Sequence, residues 1–142
     1  NMLHRLNGRY IGDEVRIFSS VKMIGDISVH IGDRTTIGHD TLLIGGSGSS
    51  IHIGNDCAIS TRVNIVTGTH EINVENGCSA GENISKSIFI ADSVWIGFGV
   101  NILPGVNIGE KSIIGAGSNV VNDIPPYAIA VGNPCKVIKY IR

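Results

Sequence analysis

At 142 residues the chain is long enough for about one domain, and its 42% hydrophobic content supplies one continuous core. Charged residues make up only 16% and the net charge is -1, which excludes a broad basic face for a nucleic-acid backbone or an anionic membrane. Cys57, Cys78 and Cys135 form no C-x-x-C pair, no apolar run approaches a membrane span, and residues 1–5 lack the apolar core of a secretory leader. The expected setting is a reducing cytoplasm.

Along the chain, a branched aliphatic residue recurs every six positions. It begins as Ile31, Ile37, Leu43, resumes as Ile53, Ile59, Ile65, and then runs unbroken through Ile90, Ile96, Ile102, Ile108, Ile114 and Val120. A second small or branched residue sits two positions before the next aliphatic, as at Thr35, Thr41, Cys57, Val63, Val94 and Ser112. Both positions are expected to point inward. A period of six fits neither the 3.6 of a helix nor the alternation of a long strand. It predicts short strands separated by turns, three per coil, stacked into a prism of about six or seven coils. The 19 glycines are expected at corners needing positive φ.

Two stretches interrupt the pattern. Residues 44–52, rich in Gly and Ser, predict an irregular turn. Residues 68–87 lose the hexad altogether and predict an external loop, the kind of segment on which binding chemistry sits. Beyond Val120 the repeat ends, and residues 124–142 are expected to cap the last coil within a single domain of residues 1–142.

Val94-Trp95-Ile96-Gly97-Phe98-Gly99-Val100-Asn101-Ile102-Leu103-Pro104-Gly105, Asp123-Ile124-Pro125-Pro126 and Gly132-Asn133-Pro134-Cys135-Lys136-Val137-Ile138, together with Val66-Thr67-Gly68-Thr69-His70, resemble the galactoside/maltose branch of the hexapeptide-repeat acyltransferases. The resemblance implies a left-handed parallel β-helix, homotrimers with sites between subunits, and acetyl-CoA as co-substrate. It places the catalytic histidine at His70 and an acceptor contact at Asp40, where galactoside enzymes hold Asn. It carries the coenzyme positions over to Phe98, Ala116, Val121, Asn122, Lys136 and Lys139. At these last two, lysine keeps the charge for the coenzyme's phosphates without the bidentate geometry of arginine.

Transfer of an acetyl group from a thioester to a hydroxyl requires a base for the hydroxyl proton, and imidazole suits that role near neutral pH. His70 is the candidate, oriented by Glu71, Glu75 or a carbonyl. The expected acceptor is a sugar hydroxyl in polysaccharide or cell-surface glycan synthesis. An amino-sugar or serine acceptor, and a non-catalytic trimeric scaffold, are the alternatives. Trp95 and Phe98 either line the pantetheine arm or plug a corner. A zinc site of the kind found in β-helical carbonic anhydrases needs a histidine pair near i and i+5; His4, His30, His39 and His52 provide none, so no metal is expected. Cys78 has no visible activating partner, and Cys57 reads as a small core hydrophobe.

Overall fold

The computed structural model describes residues 8–142; His4 and Arg5 lie outside them. Because each hexad supplies one inward-pointing aliphatic and a turn, strands of two to six residues alternate with tight corners, and no helix occurs among the described residues. The strands stack in three parallel faces. Face A contains Arg9–Ile11, Ile27–Ile31, Ser49–Ile53, Ile88–Ile90 and Asn107–Ile108. Face B contains Arg16–Ile17, Thr36–Ile37, Ala58–Ile59, Trp95–Ile96, Ile113–Ile114 and Ala128–Gly132, with Cys135–Tyr140 closing it antiparallel. Face C contains Lys22–Ile24, Leu42–Ile44, Asn64–Val66, Asn101–Ile102 and Asn119–Val120.

Register turns the hexads into ladders. On face A, Ile31, Ile53, Ile90 and Ile108 lie one above another and Ile124 bridges to the last of them. Ile37, Ile59, Ile96 and Ile114 do the same on face B, as do Leu43, Ile65, Ile102 and Val120 on face C. All are buried, so this ladder core is the main hydrophobic driving force of the fold. Polar residues at the second inward position bond to carbonyls of the next coil: Thr35 Oγ1 to Gly54 O (2.7 Å), Thr41 Oγ1 to Ser60 O (3.0 Å) and Cys57 Sγ to Ala91 O (3.1 Å). Among the described residues no buried side-chain nitrogen or oxygen lacks a partner.

Faces A and C each carry five strands and face B six parallel ones, with Ile124 bridging as a sixth rung on face A, so there are five full coils and the start of a sixth, the lower end of the expected six or seven. Other expectations need correction. The coils are not all 18 residues long; the early ones take 20 and 22, and one swells to 37 around the external loop. Residues 49–52 are not an irregular turn but part of a full strand of face A. Ser49 there occupies an inward site, and its hydroxyl is buried against Thr67 Oγ1 (2.8 Å).

The glycines that follow the ladder aliphatics do not have positive φ. A Cβ on Gly97 would lie 2.7 Å from Ala116 N, so glycine is needed there because successive coils touch. The left-handed corner positions are instead often occupied by side chains, among them Arg34, Asp56, Arg62 and Ser93. Each of these four donates its amide to a carbonyl one coil below, at 2.8–2.9 Å, which offsets the conformational cost.

Candidate active site

The external loop is an ordered β-hairpin. Gly68–Ile72 pairs antiparallel with Ala80–Ser85 at the corner between faces C and A, and the register slips between His70 and Ile72. Its tip is tied by one side chain: Asn73 Nδ2 donates to Asn76 O (2.9 Å) and Cys78 O (3.0 Å), while its Oδ1 accepts from Glu75 N (3.0 Å). Opposite the bulge sits Gly81. A Cβ there would stand 2.9 Å from Glu71 O, so only glycine allows this close pairing of the strands.

That close pairing fixes His70. Its Nδ1 lies 3.0 Å from the carbonyl oxygen of Gly81. A carbonyl only accepts, so Nδ1 is the donor, and in the neutral ring the lone pair lies on Nε2. Of the three orienting candidates, the carbonyl is the one in contact. The imidazole borders a cleft of about 450 Å³ walled by Gly46, Ser47, Thr69, Asn83 and Ser85. Gly81 carries no sequence signal of its own, since its role depends on which residue it faces across the hairpin.

The other predicted site residues fall in three places. Val121 and Asn122 follow Asn119–Val120 at the top of the corner from which the hairpin leaves. Phe98, Ala116 and Asp40 lie at the opposite edge of face C, the corner between faces B and C. The left-handed residues Asp40, Arg62, Gly99 and Gly117 form a column at that corner. Asp40 donates its amide to Ser20 Oγ (2.9 Å), and its carboxylate lies 3.9 Å from Arg62 Nε. Lys136 and Lys139 are exposed on the outermost strand of face B. One chain therefore does not bring His70 together with Phe98, Ala116 or Asp40.

Trp95 belongs to a feature that the hexads did not reveal. It is 54% exposed, so it does not plug a corner of its own chain. On the outside of face B it begins a column in which Trp95 sits beside Ile113, Ile113 beside Ile129, and Ile129 beside Lys139. An apolar track ending in a cation suits a ligand with an aliphatic arm and phosphates.

The remaining polar candidates have structural surroundings. Burial pushes the Cys57 and Cys135 thiols above their ordinary range, which suppresses the thiolate. Cys78 is exposed on the hairpin, where its Sγ accepts from Ala80 N at 3.4 Å. His39 packs on Phe18 with 4.2 Å between ring centroids. His52 stacks between His30 and Phe89; burial, and then the nearby His30 charge, hold it below the ordinary imidazole value.

A hexad-built solenoid interrupted by one histidine-bearing hairpin defines a recognisable architectural class. No protein-family model matches the chain. Galactoside O-acetyltransferase of Lactococcus lactis is 37% identical over 118 residues, which are 83% of this chain and 56% of the relative. The structure of a maltose O-acetyltransferase from Clostridium difficile 630 superposes with a TM-score of 0.81 at 32% identity, covering 99% of this chain and 74% of that one. A galactoside acetyltransferase solved in complex with coenzyme A also gives 0.81, at 31% identity, covering 99% and 68%. The chain belongs to the hexapeptide-repeat acetyltransferase family, and its solenoid is that family's left-handed parallel β-helix. It spans about half the length of the curated relatives it matches.

Proposed function

We propose that the protein is an acetyl-CoA-dependent O-acetyltransferase acting on a sugar hydroxyl in glycan biosynthesis, with His70 as general base. The observation that carries this reading is the Nδ1–H of His70 held by the Gly81 carbonyl, which leaves Nε2 as an oriented lone pair beside an open cleft. The acceptor hydroxyl attacks the thioester carbonyl as Nε2 takes its proton. The tetrahedral oxyanion is met by a backbone N–H and collapses, expelling the coenzyme thiolate, which recovers the proton from the imidazolium. No acyl-enzyme is needed.

Acetyl-CoA lies along the outside of face B in this reading, its pantetheine arm against Trp95 and Ile113 and its phosphates near Lys136 and Lys139. Phe98, Ala116, Val121 and Asn122 complete the coenzyme contacts, and Asp40 contacts the acceptor. Because His70 and the corner bearing Phe98 and Asp40 flank opposite edges of face C, a complete cleft pairs the hairpin of one chain with that corner of another. Face C suits the contact. Its outer surface carries an apolar column of Ile24, Ile44, Val66, Leu103 and Val121, beside an amide ladder in which Asn64 donates to Asn101 and Asn101 to Asn119 (2.8 and 2.7 Å). A homotrimer closes this arrangement, and a cytoplasmic location supplies the acetyl donor.

The test is thiol release from acetyl-CoA against sugar, amino-sugar and amino-acid acceptors. Turnover confined to sugar hydroxyls supports the reading. Turnover only with amines or serine moves the acceptor class, and no coenzyme binding at all leaves a scaffold.

A further inference from the structure

Face A carries a feature that neither the coenzyme track nor the histidine cleft uses. Tyr10, His30, His52 and Phe89 occupy one outward register on four successive coils. Their rings stack, with centroid separations of 4.4, 5.6 and 4.8 Å and interplanar angles of 18°, 25° and 14°. The stack stops at Phe89. The next residue in the register is Asn107, which presents no ring; it is drawn towards Asp123, whose Oδ1 accepts its backbone N–H at 2.8 Å and its side-chain amide at 3.4 Å.

Phe89 consequently remains 46% exposed and fronts a groove of about 720 Å³, lined also by His52, Asp92, Asn107, Asp123 and Pro125. Asp92 Oδ1 accepts Asn55 N at 2.8 Å, and among the described residues neither Asp92 Oδ2 nor Asp123 Oδ2 has a hydrogen-bond partner. The groove therefore offers an aromatic ring with an uncovered face, flanked by carboxylate oxygens that can only accept. A pyranose ring matches this chemistry. Its C–H face is apolar, and its hydroxyls are donors that bond strongly to carboxylates.

We propose that this groove is a glycan subsite that holds a sugar ring of an oligosaccharide acceptor on Phe89, with hydroxyls donated to Asp92 and Asp123. The proposal rests on the sugar-acetyltransferase reading and adds to it a preference for chains over single sugars. Ser85 walls the His70 cleft and Phe89 walls the groove. Four residues of chain, at most about 13 Å when fully extended, separate them, a span on the scale of two linked sugar rings. Ser50 and Ser87, whose hydroxyls lie 3.2 Å apart, occupy the surface between them.

The test compares acceptors of increasing length in wild type, Phe89→Ala and Asp123→Asn, with thermal melting as a check on folding. The subsite predicts that both variants raise KM for oligosaccharides by about 3- to 10-fold, the scale of one aromatic or charge-assisted contact, without changing kcat or the KM of a monosaccharide. A second arm titrates the same oligosaccharides into His70→Ala without coenzyme and follows the Phe89 ring resonances by NMR; they should shift. Unchanged resonances together with unchanged KM at every length overturn the subsite while leaving His70-dependent turnover intact. Ring shifts without turnover of any sugar would keep the subsite and sink the catalytic reading. A change of oligomeric state in Phe89→Ala would assign the ladder to a contact between copies and overturn the proposal.

Discussion

The coils and the hairpin are built by opposite rules. In the coils after the first the hexad aliphatics are buried, most corner amides reach a carbonyl one coil away, and even glycines are set by contact between layers. The hairpin at residues 68–85 buries none of its side chains: Ile72 is 82% exposed and Val74 85%. It holds its shape through strand pairing, the Asn73 side chain and the close approach at Gly81. Stability thus resides in the repeat and the proposed chemistry in the excursion, a division in which a rigid scaffold carries a loop free to vary.

Substitutions should separate the two regions. Ile96→Ala empties a fully buried ladder position and should destabilise by about 2–5 kcal/mol in denaturant unfolding. A loss under 1 kcal/mol would mean that the coils are not the stabilising unit. Gly97→Ala forces a methyl against the backbone of Ala116 and should cost about 1–3 kcal/mol, read as a lower midpoint. Gly81→Ala should leave melting nearly unchanged but lower kcat about tenfold, because the strand bearing Glu71 must shift and the carbonyl holding His70 moves with it.

The face A ladder adds a pH dependence. His52 is held below the ordinary imidazole value by burial and then by His30, so the unfolded chain takes up this proton first as pH falls. Its contribution is complete above about pH 6.5 and is lost progressively below it. His52→Phe should flatten the melting profile in that window, and an unchanged profile would remove His52 from the account. The smallest effect belongs to the hairpin surface. Ile72→Ser should change stability by no more than about 0.5 kcal/mol.

How much of this was legible in the sequence follows the same division. Ladder positions such as Ile53, Ile59 and Ile65 were readable because a three-sided coil leaves no choice about which residue faces in. The strand at Ser49–Ile53 was not, because an inward serine satisfied by Thr67 looks like loop composition. Left-handed corners at Arg34 and Asp56 were hidden because their compensation is a hydrogen bond from the neighbouring coil. His70 was found through family resemblance, whereas Gly81 as its partner emerges only from the hairpin register. Asp40 and Phe98 could be placed at a corner but not joined to His70, since face C separates them within one chain.

The central claim is that the hairpin supplies the base and the solenoid only positions it. The most direct measurement is thiol release from acetyl-CoA with a productive sugar acceptor, comparing wild type with His70→Ala and monitoring melting of both. The account expects turnover to fall by roughly 10²-fold or more with the midpoint unmoved. Full activity in His70→Ala, or a loss that merely follows unfolding, would contradict it.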